Sequence, residues 1–168
     1  MIAGLSLSTY TLVHVIISLI GIASGIVVLL GLLTSRPFNG WTALFLTTTL
    51  FTCVTGFGFP FQKVLPSHIV GTISLVVLAI AIVGRYVRHL AGAWRWVYAV
   101  SAVIALYLNV FVTVVQAFDK TPALKVLAPT QTEAPFTITQ LVILLLFVVL
   151  GALAVKRFHE PARASALL

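Results

Sequence analysis

Five long apolar runs, separated by short polar breaks, constrain this chain more than any other feature. They cover Leu12–Leu33, Trp41–Phe59, His68–Gly84, Trp96–Phe118 and Thr137–Val155. About 20 apolar residues in a helix cross the hydrocarbon core of a bilayer. Membrane-spanning strands instead alternate apolar and polar residues over about 10 positions. Leu141–Val155 does not alternate, so the spans are predicted as helices. The predicted fold is an all-α integral membrane bundle of five transmembrane helices, a single domain over residues 1–168.

Charge supports this class. Only 8% of residues are charged, against about 25% in an ordinary soluble domain. So little charge cannot cover the surface of a water-soluble globule. A soluble enzyme, a nucleic-acid-binding domain and a disordered chain are therefore excluded. The net charge of +7 fits loops that meet anionic lipid.

The breaks give the orientation. Arg36, Arg85, Arg88, Arg95, Lys156, Arg157 and Arg163 fall on one side, and Lys63, Lys120 and Lys125 on the other. The positive-inside rule then predicts the N-terminus outside and the C-terminus in the cytoplasm of a bacterial inner membrane. No basic residue precedes the first span, and that span is longer than a signal-peptide core, so it is expected to be retained. Asp119–Pro135 is the longest polar segment. Its prolines, Pro122, Pro129 and Pro135, argue against one continuous helix.

Several chemistries are closed off. The single cysteine, Cys53, allows no internal disulfide, no CxxC pair and no Cys-based zinc site. The three acids, Asp119, Glu133 and Glu160, lie outside the apolar runs, so no carboxylate pair works within the membrane.

Polar side chains inside the spans are costly, and their positions are informative. His14, Ser18, Gly21 and Gly25 share one face of the first span. Thr48, Thr52 and Thr55 align on the second, and His68 and Thr72 on the third. Tyr98, Ala102, Ala105, Asn109, Val112 and Gln116 form a stripe on the fourth, and Gln140 opens the fifth. At helical rise His14 lies about 28 Å from Leu33, and His68 about 26 Å from Arg85. Both histidines therefore belong at one height in the outer half. Thr55, Gln62, Gln116 and Gln140 belong there too, with Asn109 about two turns deeper. The inner half is expected to hold small and aliphatic residues.

Each feature has two readings. His14 and His68 match the axial ligands of one b-type haem, the only metal role open to them, or they meet water and headgroups. Asn109, Gln116 and Gln140 match a quinone-headgroup pocket, or they hydrogen-bond between helices. The threonines bond to a carbonyl one turn back. Gly21–Gly25 marks a homo-oligomer seam or close packing within one chain. Trp41, Tyr86, Trp94 and Trp96 form an interfacial belt with Arg85 and Arg95. The segment Gly56–Phe61 forms a lip over the outer pocket or an ordinary helix end.

As a whole the chain resembles the small inner-membrane proteins common in proteobacterial genomes. That resemblance implies a compact helical bundle and transfers no functional residue. The chain lacks the several intramembrane histidines of cytochrome b561-type proteins and the cysteines of vitamin K epoxide reductase-type enzymes. The expected function is that of a small non-enzymatic accessory or assembly subunit acting through membrane partners. The alternatives are a haem- or quinone-binding electron-transfer protein with its site in the outer half, and an oligomeric channel or carrier.

Overall fold

The computed structural model describes residues 4–36, 38–60 and 66–158, the last stretch from residue 68 with its side chains. Six α-helices follow in order: α1 Leu7–Leu33, α2 Asn39–Gly56, α3 Pro66–Ile82, α4 Trp94–Lys120, α5 Pro122–Leu127 and α6 Ala134–Arg157. A π-helical turn, Val83–Val87, extends α3. No strand is present among the described residues.

Four of these stretches are long and apolar enough to cross a membrane: Leu7–Leu33, His68–Val87, Trp94–Lys120 and Ala134–Arg157. The second expected span is also a helix, of 18 residues. Its polar start at Asn39 and its threonines at 42, 47, 48, 49, 52 and 55 leave it less apolar than the other four. The proline-bearing segment at 119–135 breaks as expected. Pro122 sits in the first turn of the short α5, where its missing N–H costs nothing.

The turns show local logic. After α1 the N–H of Arg36 returns to the carbonyl of Gly31 at 2.9 Å, with Ser35 at φ 53° between them. This is a Schellman-type ending with serine in the place usually taken by glycine. A Cβ on Gly31 would lie 2.7 Å from the Arg36 carbonyl oxygen, so the chain can fold back only over a glycine. At the end of α3 the N–H groups of Arg88 and Leu90 reach back to Val83 and Gly84. The chain then reverses through His89, Leu90 and Gly92, all at positive φ.

Helix α4 is the hub and packs on α1, α3 and α6. Its buried face is built of small residues, Ala99, Ser101, Ala102 and Ala105, beside Tyr98, Val103 and Leu106. Small residues let helix backbones approach closely, which drives association where lipid removes the hydrophobic contrast. Helix α2 packs on α1 and α3. The core joins Val28, Leu29 and Leu32 of α1 to Phe45 and Leu46 of α2, Leu78 and Ala81 of α3, and Ala154 near the end of α6. By position these residues lie toward the end of the bundle that carries Arg36, Arg85 and Arg157.

Gly21 and Gly25 are both buried within this single chain. A Cβ on Gly25 would lie 2.6 Å from Leu106 Cδ1 and 2.9 Å from the Phe45 ring. The small-residue pair therefore packs α1 against α2 and α4. Gly25→Val is expected to lower the melting temperature in detergent, through an overpacking cost of about 1–3 kcal/mol. Gly40→Ala, where a Cβ meets nothing within 4 Å, should melt like the parent. Equal melting of both variants would refute the close approach.

Candidate functional site

The outer-half residues fall into three local groups rather than one pocket. The first joins α1 to the end of α2. His14 Nδ1 and the Thr55 hydroxyl are 2.8 Å apart, and the Tyr10 hydroxyl donates to the Thr55 carbonyl at 2.7 Å. The Phe59 ring stands edge-on to both Tyr10 and His14, at 5.0 and 5.2 Å between centroids. A Cβ on Gly58 would meet the Tyr10 hydroxyl, so a side chain here would have to displace it. Phe57 and Phe59 point different ways: the Phe57 ring lies 5.6 Å from that of His68. Among the described contacts His14 and His68 thus go to different partners. Helix α2 packs on both α1 and α3, and its C-terminal end touches both histidines.

The second group is deeper. Asn109 Nδ2 donates to the Thr49 hydroxyl at 3.2 Å. A Cβ on Gly21 would lie 3.3 Å from Asn109 Nδ2 and from the hydroxyls of Thr48 and Thr49. Asn109 therefore faces the bundle, as its stripe on α4 predicts. The stripe emerges further along: Tyr98, Ala102 and Ala105 are buried, Asn109 is half-buried and Gln116 is exposed.

The third group straps the outer segment to α4. Gln140 is buried and donates from Nε2 to the Phe111 carbonyl at 3.2 Å. One turn along, Gln131 donates to the Val115 carbonyl at 3.0 Å. The sequence pattern marked Gln140 but not Gln131, which lies in a polar loop where nothing distinguishes it from a solvated residue. Gln116 lines an open cavity of about 260 Å³ with Phe118, Asp119, Lys125, Thr130 and Gln131. The cavity lies under the Asp119–Pro135 segment, and His14, His68, Asn109 and Gln140 are not among its walls. Asp119 pairs with Lys120 at 2.8 Å and with Lys125 at 3.1 Å, exposed pairs worth at most about 1 kcal/mol. Slight desolvation raises the Glu133 carboxyl. Hydrogen bonds from Thr130 and from the Thr132 N–H outweigh it and hold the group below the usual carboxylate range.

Of the threonine row, Thr48 and Thr55 donate to carbonyls one turn back at 2.7 and 2.6 Å. The hydroxyl of Thr52 is buried without a partner. Gln62, Lys63, Phe61, His159, Glu160 and Arg163 lie outside the described residues.

The comparisons with family models, with curated proteins and with solved structures returned no match. What the chain can do must therefore be argued from its own geometry.

One expectation needs correction. The inner half is not merely small and aliphatic. Arg85 Nη2 donates to Asn39 Oδ1 at 2.5 Å, and its guanidinium lies 5.3 Å from the centre of the buried Tyr98 ring. Thr42 and Ser101 are buried in the same half. Counted along the chain, Arg85 belongs to the headgroup belt. The π-helical turn sets it against Asn39 and Tyr98, and nothing in the apolar spacing signals that turn.

Among the described residues no group of three or more histidine, cysteine and acid side chains could hold a metal ion. A double-mutant cycle tests the inward amide. Asn109→Leu and Thr49→Val should each lower stability in detergent, with a coupling of about 0.6–1.7 kcal/mol between them. Strict additivity would place Asn109 away from Thr49.

Proposed function

We propose that this chain crosses a bacterial inner membrane five times, α2 included, with its N-terminus outside. Its function is that of a small non-enzymatic accessory or assembly subunit acting through other membrane proteins. The bare surface of α6 carries this reading. The helix meets its own bundle along one seam, where Gln140 and Ala154 are buried and Phe147 and Gly151 are half-buried. Around the rest of its circumference Ile138, Leu141, Val142, Leu145, Val148 and Val149 are all more than half exposed. A helix so weakly engaged by its own chain has surface to offer a second one.

Two observations support the five-span orientation. Helix α2, at about 1.5 Å per residue, is about 27 Å long, close to the thickness of the hydrocarbon core. Among the described residues, Arg36, Arg85, Arg88, Arg95, Lys156 and Arg157 gather at one end. At the other end lie Lys120 and Lys125, both beside Asp119. The electron-transfer alternative needs His14 and His68 on one planar group. Among the described contacts Thr55 engages His14 Nδ1 and the Phe57 ring lies beside His68; a Soret band in the purified protein would favour this alternative, and a colourless protein the accessory role.

Membrane-impermeant labelling of single cysteines in a Cys53→Ser background tests the orientation. A cysteine within 119–135 should label from outside, and one at position 89 should not; the reverse pattern would overturn it. A photo-crosslinking residue at Leu145 or Val148 tests the partner surface in intact membranes. A discrete crosslinked protein is expected from α6 and not from Ile104 of α4. Lipid adducts alone at every site would refute the accessory role.

A further inference from the structure

The arginine-rich end holds a crevice that the expected polar sites do not include. It is lined by Gly31, Arg36 and Phe38 from the α1–α2 turn, Thr42 of α2, Arg85 of the π-helical turn and Tyr98 of α4. Its volume is about 10 Å³, room for no more than one water molecule. Two arginines from separate elements thus line one small space. The two described acids, Asp119 and Glu133, sit at the opposite end of the bundle. The ion pairs of Asp119 are with Lys120 and Lys125.

The two arginines differ in how they are held. Arg85 is fixed by Asn39 and lies over the rings of Tyr86 and Tyr98. The bond to Asn39 uses one of its five N–H donors. Arg36 is exposed, and its side chain has no hydrogen-bond or ion-pair partner among the described residues. Two cations on one rim with no described acid beside them favour an anion. The backbone keeps them there: the bond from the Arg36 N–H to Gly31 places Arg36 at the crevice, and the π-helical turn places Arg85.

We infer that the mouth of this crevice binds the phosphate of an anionic phospholipid, with Arg36 and Arg85 as its two clamps. The phosphate does not enter the crevice, which is too small, but caps it. Guanidinium suits this role because its planar fork bonds two phosphate oxygens at once. Charge complementarity points to an anion, and the surrounding surface points to a lipid as its source. Phe38, Trp41, Tyr86 and Val87 are exposed beside the arginines, Val87 at 64%. Acyl chains leaving the phosphate would run along such side chains, whereas a free anion would gain nothing from them. The inference rests on the membrane reading of the bundle. It does not depend on the accessory role or on which end faces the cytoplasm.

Native mass spectrometry of the detergent-solubilised protein tests it, with palmitoyl-oleoyl phosphatidylglycerol against the matching phosphatidylcholine. The parent should retain phosphatidylglycerol at concentrations where phosphatidylcholine is lost. Arg36→Gln should lower phosphatidylglycerol occupancy by about tenfold or more, the loss expected for a charge-assisted hydrogen bond. Arg36→Gln/Arg85→Gln should abolish the preference. Lys156→Gln removes the same charge at the same end and should change nothing. Arg36 is exposed, so its single variant keeps the test valid even where the Arg85 substitution disturbs folding. Unchanged occupancy in Arg36→Gln would overturn the inference. So would an equal loss in Lys156→Gln, which would reveal only diffuse attraction, or displacement by inorganic phosphate, which would make the ligand a free anion. Lipid occupancy is read separately from crosslinking at α6, so either result stands when the other fails.

Discussion

The bundle depends on one close approach, where the backbone of α1 at Gly25 lies against Leu106 of α4 and Phe45 of α2. Helices in lipid gain nothing by hiding apolar surface from hydrocarbon. They associate through dispersion contacts, which fall away within a fraction of an ångström. The absent side chain at Gly25 lets three helices meet at that range. Gly21, one turn earlier, keeps the same proximity and leaves space for the amide of Asn109 beside Thr48 and Thr49. The apolar core and the buried polar contact thus come from a single spacing on α1.

A second constraint acts on every polar group within the spans. Hydrocarbon offers no hydrogen bonds, so each donor finds a partner inside the protein or costs several kcal/mol. Most do so locally. Ser18, Ser24, Thr48, Thr55, Thr72 and Thr113 each donate to a carbonyl four residues back. Polar residues are therefore weak markers of function here. The buried hydroxyl of Thr52, Nε of Arg95 and Oε1 of Gln140, which lack partners among the described residues, are exceptions within the described spans.

This explains what the sequence makes legible. The apolar runs locate the helices because run length reports a global requirement, the thickness of a membrane. The stripe on α4 places Asn109 inward because a shared helical face survives tertiary packing. Boundaries extend past the runs, to Leu7 in α1 and Trp94 in α4, since headgroup-level residues still satisfy their backbones by staying helical. Grouping by height does not say which residues of the candidate site meet. His14, His68 and Gln140 share a depth, yet depth says nothing of bearing around the bundle axis. Each is taken up by its nearest neighbour: Thr55, Phe57 and the Phe111 carbonyl. The Arg85 cluster is the least legible part, because it depends on a π-helical turn, which shifts a side chain's bearing without altering composition.

The core lies toward one end, and this has a mechanical consequence. Beyond Asn109 the helices are joined by local contacts, α1 to α2 through Tyr10 and His14, α2 to α3 through Phe57 and His68, and α4 to α6 through Gln140. The shared core of aliphatic and alanine side chains lies behind them, toward the arginines. An added methyl group at the arginine end has nowhere to go, since Gly31, Tyr98 and Phe158 leave a gap no larger than a water molecule, whereas the far end is held by single contacts that can be exchanged one at a time.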